Sequence, residues 1–209
     1  MAAKKPKKTS PTSAERGETP RRAKTRELIL ETALECLRED GLAGTSATKI
    51  ASRCELSWGV IQYHFGDRAG LLLALLGRTF EWLHDSVSEA APVPSEPSDR
   101  LRLLVEAMWT PMSHPDYHIL LDIQSELGRD RSHRSEVRKL AREIRGRIRE
   151  MWRKAFSGIP TAEVDRAERL ATLGLQGIAL ERRIVGPRAE HREDVESLIS
   201  AVASALRID

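Results

Sequence analysis

The sequence predicts an all-α fold of about nine helices, and three observations carry that prediction. From Thr25 onward apolar residues recur at three- and four-residue spacing. No segment alternates apolar and polar residues long enough to make a convincing strand. At 40% apolar residues, a chain of 209 can bury a real core, while 31% charged residues suit a soluble surface.

The elements follow in order. Residues 1–20 are rich in Lys, Pro, Ser, Thr and Gly without apolar periodicity, and a disordered basic tail is expected over 1–22. The first helix begins at Thr25, with Leu28, Ile29, Thr32, Ala33, Cys36 and Leu37 on one face, and Gly41 stands where a glycine would end it. A short helix starts near Ser46, capped by Ser46 or Thr45, and buries Ile50 and Ala51. Another short helix runs from Ser57 to His64 and closes at Phe65 and Gly66. Asp67 caps a longer helix over 68–89, with Leu71, Leu72, Leu75, Leu76, Phe80 and Leu83 inward. The stretch APVPSEP at 91–97 is a break. Helices are expected near 98–110, 115–128, 134–157, 161–184 and 190–206. Val137, Leu140, Ala141, Ile144, Ile148, Met151 and Trp152 form one stripe, and Val195, Leu198, Ile199, Val202, Ala205 and Leu206 another.

Composition narrows the function classes. No apolar run is long enough for a transmembrane helix, and no apolar segment follows the basic N-terminus as in a secretory signal. Cys36 and Cys54 have neither a CxxC spacing nor a His-rich neighbourhood, which suits the reducing cytoplasm and argues against a disulfide scaffold or zinc finger. The net charge of +3 is unevenly spread. Residues 1–26 hold nine Lys/Arg against Glu15 and Glu18, so the rest of the chain is net acidic. Between 27 and 80 five Lys/Arg face seven acids. A basic tail is an ordinary footprint for DNA; a merely solubilising tail is the plainer reading.

Two very short helices in succession carry the functional signal. A helix of about eight residues is marginal alone and persists only when packed. A packed pair joined by a tight turn is a helix-turn-helix, whose second member lies in the DNA major groove. In ATKIASRCELSWGVIQYHF, Ile50 and Ala51 face inward, Leu56 packs under the turn, Ser57 is an N-cap candidate, and Val60 or Ile61 faces the core.

At these residues the chain resembles the TetR family. The parts that carry the resemblance are Gly41, Thr45-Ser46, Ile50-Ala51, Ser57-x-Gly59, Tyr63-His64-Phe65, and then Arg68 with Leu71-Leu72. The match departs at Glu55, where a glycine is common, at Cys54, at Gln62, and at the bulky Trp58. The resemblance implies a helix-turn-helix domain over 23–70 and a ligand-binding and dimerisation domain over 71–209. It implies phosphate contacts from Thr45, Ser46, Tyr63, His64 and Arg68, with Ser57 and Gly59 at the DNA-facing turn. Trp58, Val60 and Gln62 would face bases, and the Gln62 amide can pair with adenine. It also implies a homodimer through the last two helices, whose small residues Ala167, Ala171, Gly174, Gly177, Ala179, Ala201 and Ala203 permit close approach. On this reading the partners are double-stranded operator DNA and a small apolar or amphipathic effector that releases a repressor.

The second half holds no recognisable catalytic set and calls for no cofactor. Met108, Trp109, Met112, Tyr117, Leu121, Gln124 and Trp152 suit an adaptable apolar pocket as well as an ordinary core. His114, His118 and Asp122 fall at helical spacing that could offer a metal site, although Pro115 places His114 at or before an N-cap. The competing class is a small helical enzyme or carrier with an apolar pocket, which has no reason to keep the ordered motif from Thr45 to Arg68.

Overall fold

The computed structural model describes residues 19–88, 95–186 and 190–208. These form nine helices: α1 (Pro20–Gly44), α2 (Ala47–Arg53), α3 (Trp58–Phe65), α4 (Arg68–Ser88), α5 (Pro97–Met112), α6 (Pro115–Arg129), α7 (Arg134–Ala155), α8 (Thr161–Val185) and α9 (Glu190–Leu206). Among the described residues there is no strand, and no helix is long and apolar enough to cross a membrane.

Helices α1 to α3 form a small head. Ile29, Leu30, Ala33, Cys36 and Leu37 of α1 share one buried cluster with Ile50, Ala51, Cys54 and Ile61. Helix α1 begins at Pro20, earlier than its apolar period announces. Proline at the first helical position costs no hydrogen bond and presets φ, so the solvent-facing turns of residues 20–26 need no apolar stripe. Residues 20–22, expected in the tail, are therefore helical, whereas the disorder expected of residues 1–18 lies outside the described residues. Gly41 interrupts the helical path at φ 67 and ψ 179, a conformation essentially confined to glycine.

Helix α4 joins the head to the rest, and the boundary expected at residue 70 falls inside it. Asp67 Oδ1 accepts from the Gly70 N–H at 2.7 Å, capping its start. Leu71, Leu72, Leu75 and Leu76 are buried and Phe80 is half-buried, while the Leu83 side chain, also expected inward, lies outside the described ones. Around its far side α5 to α9 make the larger half of the described structure, with Leu101, Met108, Ile123, Trp152 and Leu175 among its most buried side chains. Helix α5 passes through Pro111, which is buried one residue before the helix ends at Met112. The pair α8 and α9 packs closely. Val195, Ile199, Val202 and Leu206 are buried, and a Cβ built on Gly174 would lie 2.5 Å from Leu198 Cδ1. The apolar stripe of α9 and the small residues Ala167, Ala171, Gly174 and Ala179 thus serve packing within the single chain. What α8 exposes instead is Leu170, Leu173, Leu180, Ile184 and Val185, spaced along one side with Gly177 between them.

Candidate nucleic-acid interface and its linked cavity

The α2–α3 unit is held by backbone geometry and a small apolar seam. Ser46 caps α2 by accepting the Lys49 N–H at 3.1 Å. The turn closes with Cys54 N to Ile50 O at 3.0 Å and Leu56 N to Ala51 O at 3.0 Å. Its central residue, Glu55, sits at φ 54, the left-handed region that favours glycine. Ser57 stands at the N-cap of α3 without a side-chain cap bond. Ile61 is fully buried, which decides the inward residue in its favour, and Val60 is half-buried.

The expected DNA-facing residues separate into three groups. Ser46, Ser57, Gly59, Gln62 and Tyr63 are exposed, Tyr63 at 68%. His64 is half-buried, edge-on to Tyr63 at 5.3 Å between ring centroids. Trp58, Thr45 and Arg68 are placed differently from expectation. Trp58 packs against the core, because it stands three before Ile61 and seven before Phe65 on the inner face of α3. Thr45 is only 4% exposed, and its hydroxyl donates to the Gly41 carbonyl at 2.8 Å. Arg68 donates to the Leu42 carbonyl at 3.0 Å and pairs with Glu126.

Arg68 is one case of a general feature. All five basic residues between 27 and 80 are in ion pairs: Arg38 with Asp116, Lys49 with Asp40, Arg53 with Glu39, Arg68 with Glu126, and Arg78 with Glu27. The available positive charge sits at the start of α1. Arg21, Arg22, Lys24 and Arg26 pair with no acid among the described residues. The Arg22 guanidinium lies 5.1 Å from the Tyr63 ring centroid and Arg26 lies 5.4 Å from that of Phe65. These cation–π contacts bring the first turns of α1 alongside the end of α3, a placement with no signal in the local sequence.

Two of the ion pairs, one from the head and one from the start of α4, reach opposite ends of α6. Arg38 Nε and Nη2 donate to the two oxygens of Asp116 at 2.7 and 2.6 Å. This fork holds the Asp116 carboxyl below the usual carboxylate range. Glu126 takes Arg68 at the other end. The same helix contributes Tyr117, Leu120, Leu121 and Gln124 to a cavity of about 80 Å³ shared with α7 and α8.

Of the expected pocket residues, Met112, Tyr117, Leu121 and Gln124 line this cavity. Met108 and Trp152 do not; both are fully buried core, Trp152 packing on Phe156. Trp109 lines a separate surface cleft of about 340 Å³ rimmed by the charged Glu106, Arg182, Arg192 and Glu196. The smaller cavity has the apolar wall and few polar groups of a ligand site. It also holds residues the sequence did not single out, among them Phe80, Ile144, Arg145, Glu168 and Gln176. Burial raises the Tyr117 phenol, with Gln176 beside it acting in the opposite direction.

His114, His118 and Asp122 do not converge. His114 caps α6 by accepting the Asp116 N–H at 3.2 Å, and Asp122 is forked to Arg183 at 2.8 and 2.7 Å. Burial and the nearby Arg183 lower His118. Among the described residues the one trio with ligand atoms within 4.8 Å of each other is Glu81, His84 and Asp85, on the surface.

Comparison with known proteins agrees with this geometry. Residues 29–75 match the family described as bacterial regulatory proteins, tetR family. An 82-residue stretch is 30% identical to the HTH-type transcriptional regulator BetI of Stenotrophomonas maltophilia, spanning 39% of this chain and 42% of that relative. The likeness thus covers well under half the length of the curated relatives it matches. Two solved structures share the whole architecture. One is a transcriptional regulator from a Rhodococcus species, with TM-score 0.70, 18% identity, and coverage of 88% of this chain and 98% of that one. The other is a TetR transcription regulator from Haloarcula marismortui, with TM-score 0.69, 18% identity, and coverage of 88% and 97%. At those identities the likeness establishes the fold.

Proposed function

With its N-terminal region matching the TetR family, the chain is a TetR-family protein, and from that premise we propose a ligand-responsive DNA-binding transcription regulator. It acts in the cytoplasm as a homodimeric repressor on a palindromic operator, and a small apolar or amphipathic effector releases it. The observation that carries the reading is the exposed face of α3, Gly59, Gln62 and Tyr63, flanked by the basic first turns of α1. A recognition helix needs exposed polar groups for base edges and cations beside it for phosphates. Here both stand at one end of the molecule.

Two further features support the finer points. The exposed apolar side of α8, Leu170 to Val185, suits burial against a second copy, and two-fold operators reward a two-fold protein. Helix α6 touches the cavity with one set of residues and is tied to the head by Asp116 and Glu126, so a change in cavity occupancy has a route to α2 and α3. The test is capture of fragmented genomic DNA by the full chain, followed by sequencing. One recurring inverted repeat among the captured fragments is the expected result. Recovery at random, under salt that leaves the protein folded, contradicts the proposal.

A further inference from the structure

We propose that the cavity between α6, α7 and α8 selects a slender apolar ligand that donates a neutral O–H or N–H hydrogen bond to Glu168. This rests on the ligand-responsive reading above and adds the chemical class of the effector.

Glu168 lies on α8 with its side chain on the cavity wall, and it is only 2% exposed. One carboxylate oxygen, Oε1, accepts from the Thr172 hydroxyl at 2.9 Å. The other, Oε2, is buried and has no hydrogen-bond partner. Arg149 Nε stands 3.7 Å from it, near enough to balance charge and too far to hydrogen-bond, and that nitrogen is also buried without a partner. A purely structural buried ion pair is stabilising only when its remaining lone pairs and protons are satisfied. This one is a donor short, at the wall of a cavity whose other side chains include Phe80, Met112, Ile144 and Ile148. A buried group left one bond short in a cavity discriminates strongly between a guest that supplies the bond and one that does not.

Charge and size narrow the class. Arg149 offsets Glu168, and Arg145, also on the cavity wall but exposed, adds a second cation. An ammonium head would enter a site that is already balanced or positive, and a carboxylate head would meet Glu168. A neutral donor suffers neither penalty. At about 80 Å³ the space is roughly half that of an apolar cavity known to take benzene, so a narrow chain fits better than a ring.

Three probes test the proposal on the full chain: butan-1-ol, its isomer 1-methoxypropane, which has the same atoms and no donor, and butylamine. Calorimetric titration is expected to show butan-1-ol binding about tenfold or more tighter than the ether, and tighter than the amine. Glu168→Leu should keep its fold by circular dichroism and bind alcohol and ether alike. Glu168→Gln, which keeps an acceptor oxygen, should retain part of the preference. Equal binding of the isomers by the unaltered chain, a preference that survives in Glu168→Leu, tighter binding of butylamine, or no binding of any probe overturns the proposal. Fluorescence anisotropy on a captured genomic fragment, read in parallel, separates the two claims. Alcohol selectivity without DNA release contradicts the ligand-responsive reading and upholds the Glu168 assignment. Equal isomer binding, with either isomer releasing the DNA, does the reverse.

Discussion

From the head into α4 every basic residue between 27 and 80 is paired with an acid at or near the surface, whereas in the half built from α5 to α9, the proposed sensor half, a carboxylate is buried at Glu168 with one oxygen lacking a hydrogen bond. The two regions place their functional polarity on opposite sides of the protein boundary. Surface pairs such as Lys49–Asp40 and Arg53–Glu39 contribute little energy each, yet they neutralise cations of the head, and the proposed attraction for DNA then falls to the first turns of α1. A buried polar group works in a low-dielectric surrounding, where a single missing bond carries far more weight. On the proposed reading, recognition in the head is a matter of what protrudes, and in the sensor half of what is left unmet inside.

The largest effect expected comes from the apolar seam that lets the head protrude as it does. Ile61→Ala should cost about 2–4 kcal/mol, because the side chain is fully buried beneath a helix of eight residues with little else to hold it. Hydrogen exchange should show α2 and α3 losing protection while α8 and α9 keep theirs. Loss of protection across both regions would show that head and sensor half unfold as one, and would blur the contrast between them.

Next in size is the outer side of α8, the one place where the sensor half exposes a row of large apolar side chains among the described residues. Leu173→Glu with Leu180→Glu should shift a dimer toward monomer by roughly a hundredfold in dissociation constant, the equivalent of burying two charges at an apolar contact. Sedimentation equilibrium reads this directly. A dimer of unchanged strength would place the interface elsewhere.

The ties between the regions should be worth less. Asp116→Asn removes the carboxylate of the Arg38 fork and should cost about 1–2 kcal/mol at neutral pH, Arg38 being partly exposed. Because the folded protein holds the Asp116 carboxyl below its ordinary value, the stability it contributes is present above about pH 4 and fades as pH falls through the lowered value. Acid unfolding of the asparagine variant should therefore lack that component, which paired thermal melts at pH 3 and pH 7 would reveal. Identical pH dependence in the two proteins would mean the fork does not join head to sensor half in solution.

The smallest expected change is a gain. Glu55 stands in the left-handed region between α2 and α3, where a side chain is strained. Glu55→Gly should stabilise the head by about 0.5–1 kcal/mol, net of the extra chain entropy of glycine. It also removes an acid beside the recognition helix, so DNA binding should tighten slightly. A lower melting temperature would show that Glu55 makes a contact worth more than its strain.

The same contrast explains what can be read from the sequence. Helices α4 to α9 announce themselves through long apolar periods, and their ends fall within two residues of expectation. The start of α1 does not, since Arg21, Arg22 and Lys24 are exposed and carry no period; only Pro20 signals it. The packing of Trp58 is readable from its spacing to Ile61 and Phe65. The placement of Arg68 is not, because Glu126 is 58 residues away. Glu168, flanked by Ala167 and Arg169, reads as one more solvated helix charge, and its burial is settled by side chains of α6 and α7. Positions fixed by neighbours three or four residues apart are legible; those fixed across the fold are not.

The most direct test of the head's role compares Gln62→Ala with Arg22→Ala on a library of single-base variants of the captured inverted repeat. Gln62 is exposed on α3, where its amide can donate and accept at once, so its loss should erase preference at one base pair per half-site, about 1–3 kcal/mol of discrimination. Arg22, at the edge of that face, should weaken every sequence by a similar factor and lower the salt slope by roughly 0.9 for each phosphate it no longer neutralises. A uniform loss from Gln62→Ala with the preference profile intact, or a base-specific loss from Arg22→Ala, would contradict the assignment of base reading to α3 and phosphate binding to α1.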